Sequence, residues 1–354
     1  MDARSRLELA AEGYDALVVA GDADAEYFTG CHCPGSALVY SSGSATLLVP
    51  ALEYYKAVEQ VPRWMEVRPV LRRSTERVEL PGLLQATVSE AVASIARGRV
   101  AADIGSLGRV LAEDLARRID GIVDVTQRIL EMRAVKDQGE VEVITEALRI
   151  TEAAMGKALA AIREGIQDFE VAAEFEAEAR RLGAERFAFD TLVGVGSNSA
   201  NPHALPRGIR VTRGDYVVLD AGVVRHGYCS DMTRTVATGD DALLRAVAAA
   251  VDAAFDALGP GIPARDVDAA ARKELSRYGL SGYFLHSLGH GVGIEVHELP
   301  YLAPGEERKL VPGMIVTIEP GVYVRGSGGA RIEEMALVTS DGSRPLNSMR
   351  RILE

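Results

Sequence analysis

The sequence predicts an α+β chain of two domains: an N-terminal α/β domain over residues 1–132 and a C-terminal domain over residues 133–354 made of two pseudo-symmetric αα-ββ modules. Three observations carry this. The 354 residues exceed one ordinary domain and suit two. The first part alternates short apolar strands with helical stretches, whereas the second opens on a long helical pattern over 137–162. Within the second part, a pair of helices leading to an acid-bearing strand occurs twice.

In chain order, Asp15-Ala16-Leu17-Val18-Val19-Ala20 reads as a short buried strand. Residues 37–40 and 45–49 form a hairpin around Ser41-Ser42-Gly43-Ser44. A helix is expected over 81–96, a strand over 99–102 and a helix over 107–118. This part holds one histidine, His32, between Cys31 and Cys33. Neighbouring side chains of an extended segment point to opposite faces, and no second ligand pair follows, so this triplet is read as structural.

The boundary falls near Arg133. Beyond it, Gly165-Ile166-Gln167-Asp168 starts a helical run ending at Arg181-Leu182-Gly183, and ninety-six positions later Gly261-Ile262-Pro263-Ala264 starts another, ending at Arg277-Tyr278-Gly279. Each run is preceded by a further helix, at 137–162 and 241–257. Each is followed by the spacing Gly-x5-acid-x-Gly, first as Gly214, Asp220 and Gly222, then as Gly313, Glu319 and Gly321. The expected architecture is one shared sheet with helices outside.

The acids come in pairs. A hairpin symmetric about Arg225/His226, with its return strand over 228–236, sets Asp220 opposite Asp231. One centred on Gly326 sets Glu319 opposite Glu333. Directly opposed residues of an antiparallel pair have Cβ atoms about 4.5–5.5 Å apart, and like charges there destabilise. Flanking Val, Leu, Ile and Met leave that repulsion poorly screened. Either one acid of each pair is protonated or a cation neutralises both, and two pairs favour the cation. Four carboxylates match two divalent ions in formal charge. Oxygen-rich sites with one imidazole suit Mn²⁺, Co²⁺, Fe²⁺ or Zn²⁺ rather than a thiolate-bound structural zinc.

Five of the six histidines lie in this second part. His290 stands in Gly289-His290-Gly291-Val292-Gly293, where glycines let backbone approach closely. His297 lies in Val296-His297-Glu298-Leu299-Pro300-Tyr301, which is not a His-Glu-x-x-His zinc helix, because Tyr301 stands at the second histidine position and Pro300 would break the helix. His203 sits in a Gly/Asn/Pro loop leading to the first acidic strand, where contact with substrate and plain solvent exposure are both open. His226 is expected in a solvated turn, and His286 is read as packing in the core first, with a place behind the site's ligands as the alternative.

Composition narrows the classes further. A net charge of −12 argues against nucleic acid or an anionic membrane as partner. No apolar run is long enough to span a bilayer, and the N-terminus shows no uninterrupted apolar leader core. Three cysteines do not make a disulfide framework and fit a reducing, cytoplasmic setting. Gly-x-Ser-x-Gly, P-loop and strand-bound Gly-x-Gly-x-x-Gly patterns are all absent from the sequence.

These residues resemble the pita-bread metallopeptidases, a family that includes methionine aminopeptidase, aminopeptidase P and Xaa-Pro dipeptidase (prolidase). The matching stretches are Gly196-Ser197-Asn198 with Pro202-His203, Val218-Leu219-Asp220-Ala221-Gly222, and residues 228–235 around Ser230-Asp231. They continue with Gly289-His290-Gly291-Val292-Gly293, Val296-His297-Glu298, Thr317-Ile318-Glu319-Pro320-Gly321 and Arg331-Ile332-Glu333-Glu334. The likeness covers about residues 133–345. Tyr27-Phe28-Thr29-Gly30, Pro50-Ala51-Leu52-Glu53 and Arg133-Ala134-Val135-Lys136 extend it to the N-terminal domain and linker of the creatinase/prolidase branch.

The resemblance implies two divalent ions (Mn, Co, Zn or Fe) on Asp220, Asp231, His290, Glu319 and Glu333, with Asp220 and Glu333 bridging. It implies hydrolysis of small peptides, Xaa-Pro dipeptides first, by a hydroxide bridging the two ions. Glu319 would accept the proton, and His203 and His297 would assist catalysis and touch substrate. Arg331 either holds Asp231, orients substrate or is structural. A homodimer is also implied. Tyr301 departs from the pattern, standing where many prolidase-type members carry a substrate-holding arginine, and Glu334 replaces the more usual aspartate. Two readings stay open beside the dipeptidase: an aminopeptidase P-type or broader dipeptidase, and a non-catalytic peptide-binding protein on the same fold.

Overall fold

The computed structural model describes residues 1–72 and 78–352. The chain divides into two compact units, Met1–Arg133 and Ala134–Glu354.

The first unit is built on a six-stranded mixed sheet. Its strands run Glu66–Val70, Ser44–Pro50, Ala37–Ser41, Ala16–Val19, Val100–Ala102 and Val123–Asp124 from edge to edge. The expected hairpin forms, Ala37–Ser41 pairing antiparallel with Ser44–Pro50. The helix expected over 81–96 spans only Val88–Ile95. Thr87 accepts the Glu90 N–H while Glu90 accepts the Thr87 N–H, and that reciprocal cap fixes the start seven residues later than apolar spacing suggested. Cys31 and Cys33 pair as a disulfide, which their count did not suggest, and His32 hydrogen-bonds Glu26 at 2.8 Å instead of a third ligand.

The second unit repeats one plan. Helices Gln138–Ala160 and Asp168–Arg181 cover a ladder of Leu192–Val195, Tyr216–Ala221 and Met232–Ala237. Asp137 starts the first helix through a cap shared with Glu140. Helices Ala242–Ala257 and Ala264–Arg277 cover a second ladder of Glu298–Leu302, Gly289–Gly291, Ile315–Ile318, Glu334–Val338 and Ser343–Pro345. Two apolar cores form under the helix pairs, one including Ile144, Phe175 and Val217 with Ile315 and Met335 of the second module, the other Val247, Leu275 and Ile318 with Tyr216 of the first. The single shared sheet that was expected is replaced by separate ladders. They meet where the Glu333 N–H donates to the Thr233 carbonyl at 3.1 Å and the Thr235 hydroxyl donates to the Arg331 carbonyl at 2.8 Å.

The first acidic hairpin also differs from expectation. Its register pairs Asp220 with Thr233 and Arg225 with Tyr228, so the turn is His226-Gly227 and Asp231 is not opposite Asp220. Both turn residues have positive φ, 47° at His226 and 80° at Gly227. Two left-handed residues match the twist of a tight hairpin, and the centre moves one residue along the chain. The return strand is broken, running Tyr228–Cys229 and then Met232–Ala237. At the break, Ser230 turns inward: its hydroxyl accepts the Val223 N–H and meets the Thr151 hydroxyl at 2.8 Å. In the second module, Ile318 pairs with Glu334, and the short hairpin of Gly321–Val324 and Gly328–Arg331 pairs Gly321 with Arg331, a constant register that leaves Glu319 and Glu333 facing one another between these two strand pairs.

Candidate metal centre

Each acid sits where a ladder ends or breaks. Asp220 lies on Tyr216–Ala221, and Asp231 immediately precedes Met232–Ala237. Glu319 follows Ile315–Ile318, its N–H donating to the Leu288 carbonyl at 2.9 Å. Glu333 precedes Glu334–Val338, and its Oε2 accepts the Thr233 hydroxyl at 2.9 Å.

His290 is the middle residue of Gly289–Gly291. A Cβ on Gly289 would run into the Thr317 carbonyl and one on Gly291 into the Leu299 carbonyl, so only glycine allows this strand to seat. Nδ1 lies 3.1 Å from the Gly291 carbonyl, which can only accept, so that nitrogen carries a proton. Nε2 is thereby turned to the acids, 3.1 Å from Glu319 Oε1 and 3.7 Å from Asp231 Oδ2. Thr317 accepts the His290 N–H at 3.0 Å and donates to Glu319 at 3.2 Å.

Ligand atoms of Asp231, His290 and Glu333 all lie within 4.8 Å of one another. Asp220 and Glu319 line the same cavity, of about 650 Å³. Arg331 holds Asp220, and not Asp231 as one of its three open readings had it: Nη2 is 2.5 Å from Asp220 Oδ2. Its Nη1 donates to Tyr323 Oη at 2.6 Å and the Pro202 carbonyl at 3.2 Å, and Nε to Thr233 Oγ1 at 3.1 Å. Tyr323 in turn lies 2.9 Å from His286 Nε2. His286 therefore belongs to the cavity wall and not to the packed core.

The electrostatics follow from burial of like charge. Burial and the neighbouring Asp220 push Asp231 well above the usual aspartate range; burial and the charges of Asp231, Glu319 and Asp220 do the same to Glu333. Burial raises Asp220 despite the opposing pull of Arg331. Burial would raise Glu319 as well, but the hydrogen bond and charge of His290 hold it low. Burial would lower His290, yet Glu319 and Asp231 lift it to about 9. The cluster favours positive charge at its centre, whether protons or a cation. Asp220 Oδ1 and Glu333 Oε1 are buried with no hydrogen-bond partner among the described residues. Hard oxygens left bare beside a turned-in imidazole are a donor set that fits a divalent ion.

His203 and His297 are exposed on the cavity wall, and the His297 ring lies 4.3 Å from that of His290. Partial burial of its ring and the charge of His290 lower the His297 pKa. Tyr301 is the ladder partner of His290 and, at 42% exposed, contributes to an apolar wall with Phe189, Leu205 and Leu285. Sequence reasoning missed Tyr323, Thr317 and Thr233. Only Thr233 and Thr317 carried a signal, each lying within two residues of an acid.

Comparison with known proteins decides the family. The model of metallopeptidase family M24 matches residues 142–340, and that of the creatinase/prolidase N-terminal domain matches residues 3–135. The chain belongs to metallopeptidase family M24. Its second unit is the pita-bread domain and its first a creatinase-type α/β domain. An M24 chain is a peptidase that works with divalent metal on peptide substrates. A Xaa-Pro dipeptidase of Pyrococcus furiosus is 34% identical over 352 residues, covering 96% of this chain and 95% of the relative. The prolidase of Pyrococcus horikoshii OT3 superposes with a TM-score of 0.87 at 33% identity, over 98% of this chain and 99% of the other. An X-Pro aminopeptidase of Thermotoga maritima MSB8 superposes with a TM-score of 0.89 at 28% identity, over the whole of both chains. Among the described residues, no helix of this M24 chain is long and apolar enough to cross a membrane.

Proposed function

We propose that this M24 chain is a two-metal dipeptidase that cleaves Xaa-Pro dipeptides. Asp220, Asp231, His290, Glu319 and Glu333 are the ligands in this reading. The observation that carries it is the pair of buried oxygens on Asp220 and Glu333 that have no hydrogen-bond partner among the described residues and would be free to hold metal. Two divalent ions would supply Lewis-acid polarisation of a carbonyl and an acidified water.

The chain's own residues do the rest. Glu319 accepts a proton at Oε2, its Oε1 being taken by Thr317 and His290. His297 and His203 donate to the substrate's carbonyl or carboxylate oxygens from the exposed wall. Arg331 fixes Asp220 and lines the cavity floor, and Tyr301 with Phe189, Leu205 and Leu285 gives the substrate an apolar seat and keeps water from it. The ions are Mn²⁺ or Co²⁺ in this reading, the setting cytoplasmic and the working form a homodimer, which light scattering of the purified chain tests.

A second reading, aminopeptidase P-type cleavage of longer peptides, is favoured by the full-length likeness to the Thermotoga protein. One experiment separates the two. The chain is stripped with chelator, reloaded with Mn²⁺, Co²⁺ or Zn²⁺, and given Met-Pro, Leu-Pro, Leu-Leu and a Xaa-Pro tripeptide. Metal-dependent cleavage of the Xaa-Pro dipeptides alone is the expected result. Cleavage of the tripeptide selects the second reading, cleavage of Leu-Leu removes the proline preference, and a protein that takes up no metal overturns both.

A further inference from the structure

We propose that Lys136 is a positioning residue that sets how His297 is presented to the cavity, acting through the carboxylate of Glu298. The inference rests on the reading of His297 as a group that meets substrate. Lys136 Nζ lies 3.2 Å from Glu298 Oε2, and the two side chains are 1% and 3% exposed. The other oxygen, Oε1, accepts the Glu295 N–H at 3.1 Å. The carboxylate thus closes the turn 295–298, and His297 is held inside that turn. The start of the same loop is anchored separately, Gly293 donating to the Glu295 carbonyl at 3.0 Å and accepting from the Cys229 N–H at 2.7 Å.

Glu298 opens the strand Glu298–Leu302. His297 is the residue before it, in the bend that the Glu298 carboxylate closes, so the two share one planar peptide unit. Glu298 enters the protein and is buried, while His297 faces the cavity and is exposed. Fixing the direction of one therefore fixes the other. Lys136 is a firm anchor for this: its N–H donates to the Gly313 carbonyl at 2.9 Å, and the next residue, Asp137, caps the long helix Gln138–Ala160. A buried ion pair gives little stability over an apolar pair of equal volume. What it supplies here is a fixed carboxylate under a loop that carries a working group.

The test uses the full chain, metal-loaded, with Leu-Pro as substrate and four variants: Lys136→Met, Lys136→Arg, His297→Ala and Lys136→Met/His297→Ala. Lys136→Met should lower kcat between roughly 10- and 100-fold, the cost of a misplaced group, with metal content unchanged and Lys136→Arg restoring most of it. In the His297→Ala background the same change should cost less than about twofold, since no presented group remains to be misplaced. A second readout needs no turnover. In the Zn²⁺-loaded protein with ¹³C-labelled histidine, Lys136→Met should move the His297 ring resonance and leave that of His203 in place. If Lys136→Met leaves a buried acid that prevents folding, Lys136→Met/Glu298→Gln replaces it in both measurements. An additive loss in the His297→Ala background, or an unmoved His297 resonance, overturns the inference. Full turnover in His297→Ala alone overturns the reading of His297 instead, and the resonance then still decides the role of Lys136.

Discussion

Arg331 and Asp220, 111 residues apart, are joined by a hydrogen bond of 2.5 Å from Nη2 to Oδ2. Three further donors of the same guanidinium reach Tyr323, Thr233 and the Pro202 carbonyl. One oxygen of Asp220 is thus occupied and aimed, and the other is left bare. A planar fork with several partners orients a carboxylate in a way that a point charge cannot.

Arg331→Lys should therefore keep the charge and lose the aim. Metal affinity should weaken by roughly 10- to 100-fold, as for other residues that orient a ligand, with the far-UV spectrum unchanged. Titration against a competing chelator measures it. An affinity equal to wild type would show that Asp220 needs no such support.

Removing one acid should have opposite effects with and without metal. Asp231 is buried, and burial together with the charges of Asp220 and Glu319 raises the cost of ionising it. In metal-free protein Asp231→Asn relieves that repulsion and should raise the melting temperature. With saturating Mn²⁺ the order should invert, because wild type gains the binding free energy of the ion and the variant does not. Activity should fall to background. A variant destabilised in both states would mean that Asp231 is held by something other than a cation.

The turn at His226-Gly227 gives a prediction remote from the metals. His226 has φ of 47°, a region that costs an ordinary L-residue about 1–2 kcal/mol. His226→Asn should be neutral or slightly stabilising, and His226→Val should destabilise by roughly 1–2 kcal/mol through its branched side chain. Chemical denaturation of the full chain reads both. Equal stability of the two would remove the turn as the cause of the register.

That turn also shows where sequence reasoning stops. Two helix pairs, an acid on or just after the matching strand of each module and the facing of Glu319 and Glu333 were legible, because amphipathic periods and a Gly-x5-acid-x-Gly spacing are local signals. The facing of Asp220 and Asp231 was not: it depends on which two residues take positive φ, and His226 carries no sign of that. Thr87 and Glu90 did carry a cap signature, yet apolar spacing drew the helix start further back. Arg331, Tyr323 and His286 come together only in the fold, since Tyr323 and His286 are 37 residues apart and no short spacing links them.

The pH dependence of the metal-free chain follows from His290. Folded, the imidazole binds its proton up to about pH 9, although burial opposes this, because Glu319 and Asp231 face it; the ordinary value is 6.5. A group whose folded pKa is raised contributes stability that is fully present below its unfolded pKa and is lost as pH rises through the folded one. Metal-free protein should therefore lose stability between about pH 6.5 and pH 9, and His290→Gln should flatten that part of the profile. Raised Asp231 and Glu333 act in the same direction, since they too bind protons more tightly when folded. Metal should reverse the slope: a ligand histidine must give up its proton, so affinity and the stability it confers both rise with pH. Melting curves at stepped pH, with chelator and with Mn²⁺, measure the two slopes. Parallel curves would mean that His290 does not exchange its proton for the metal.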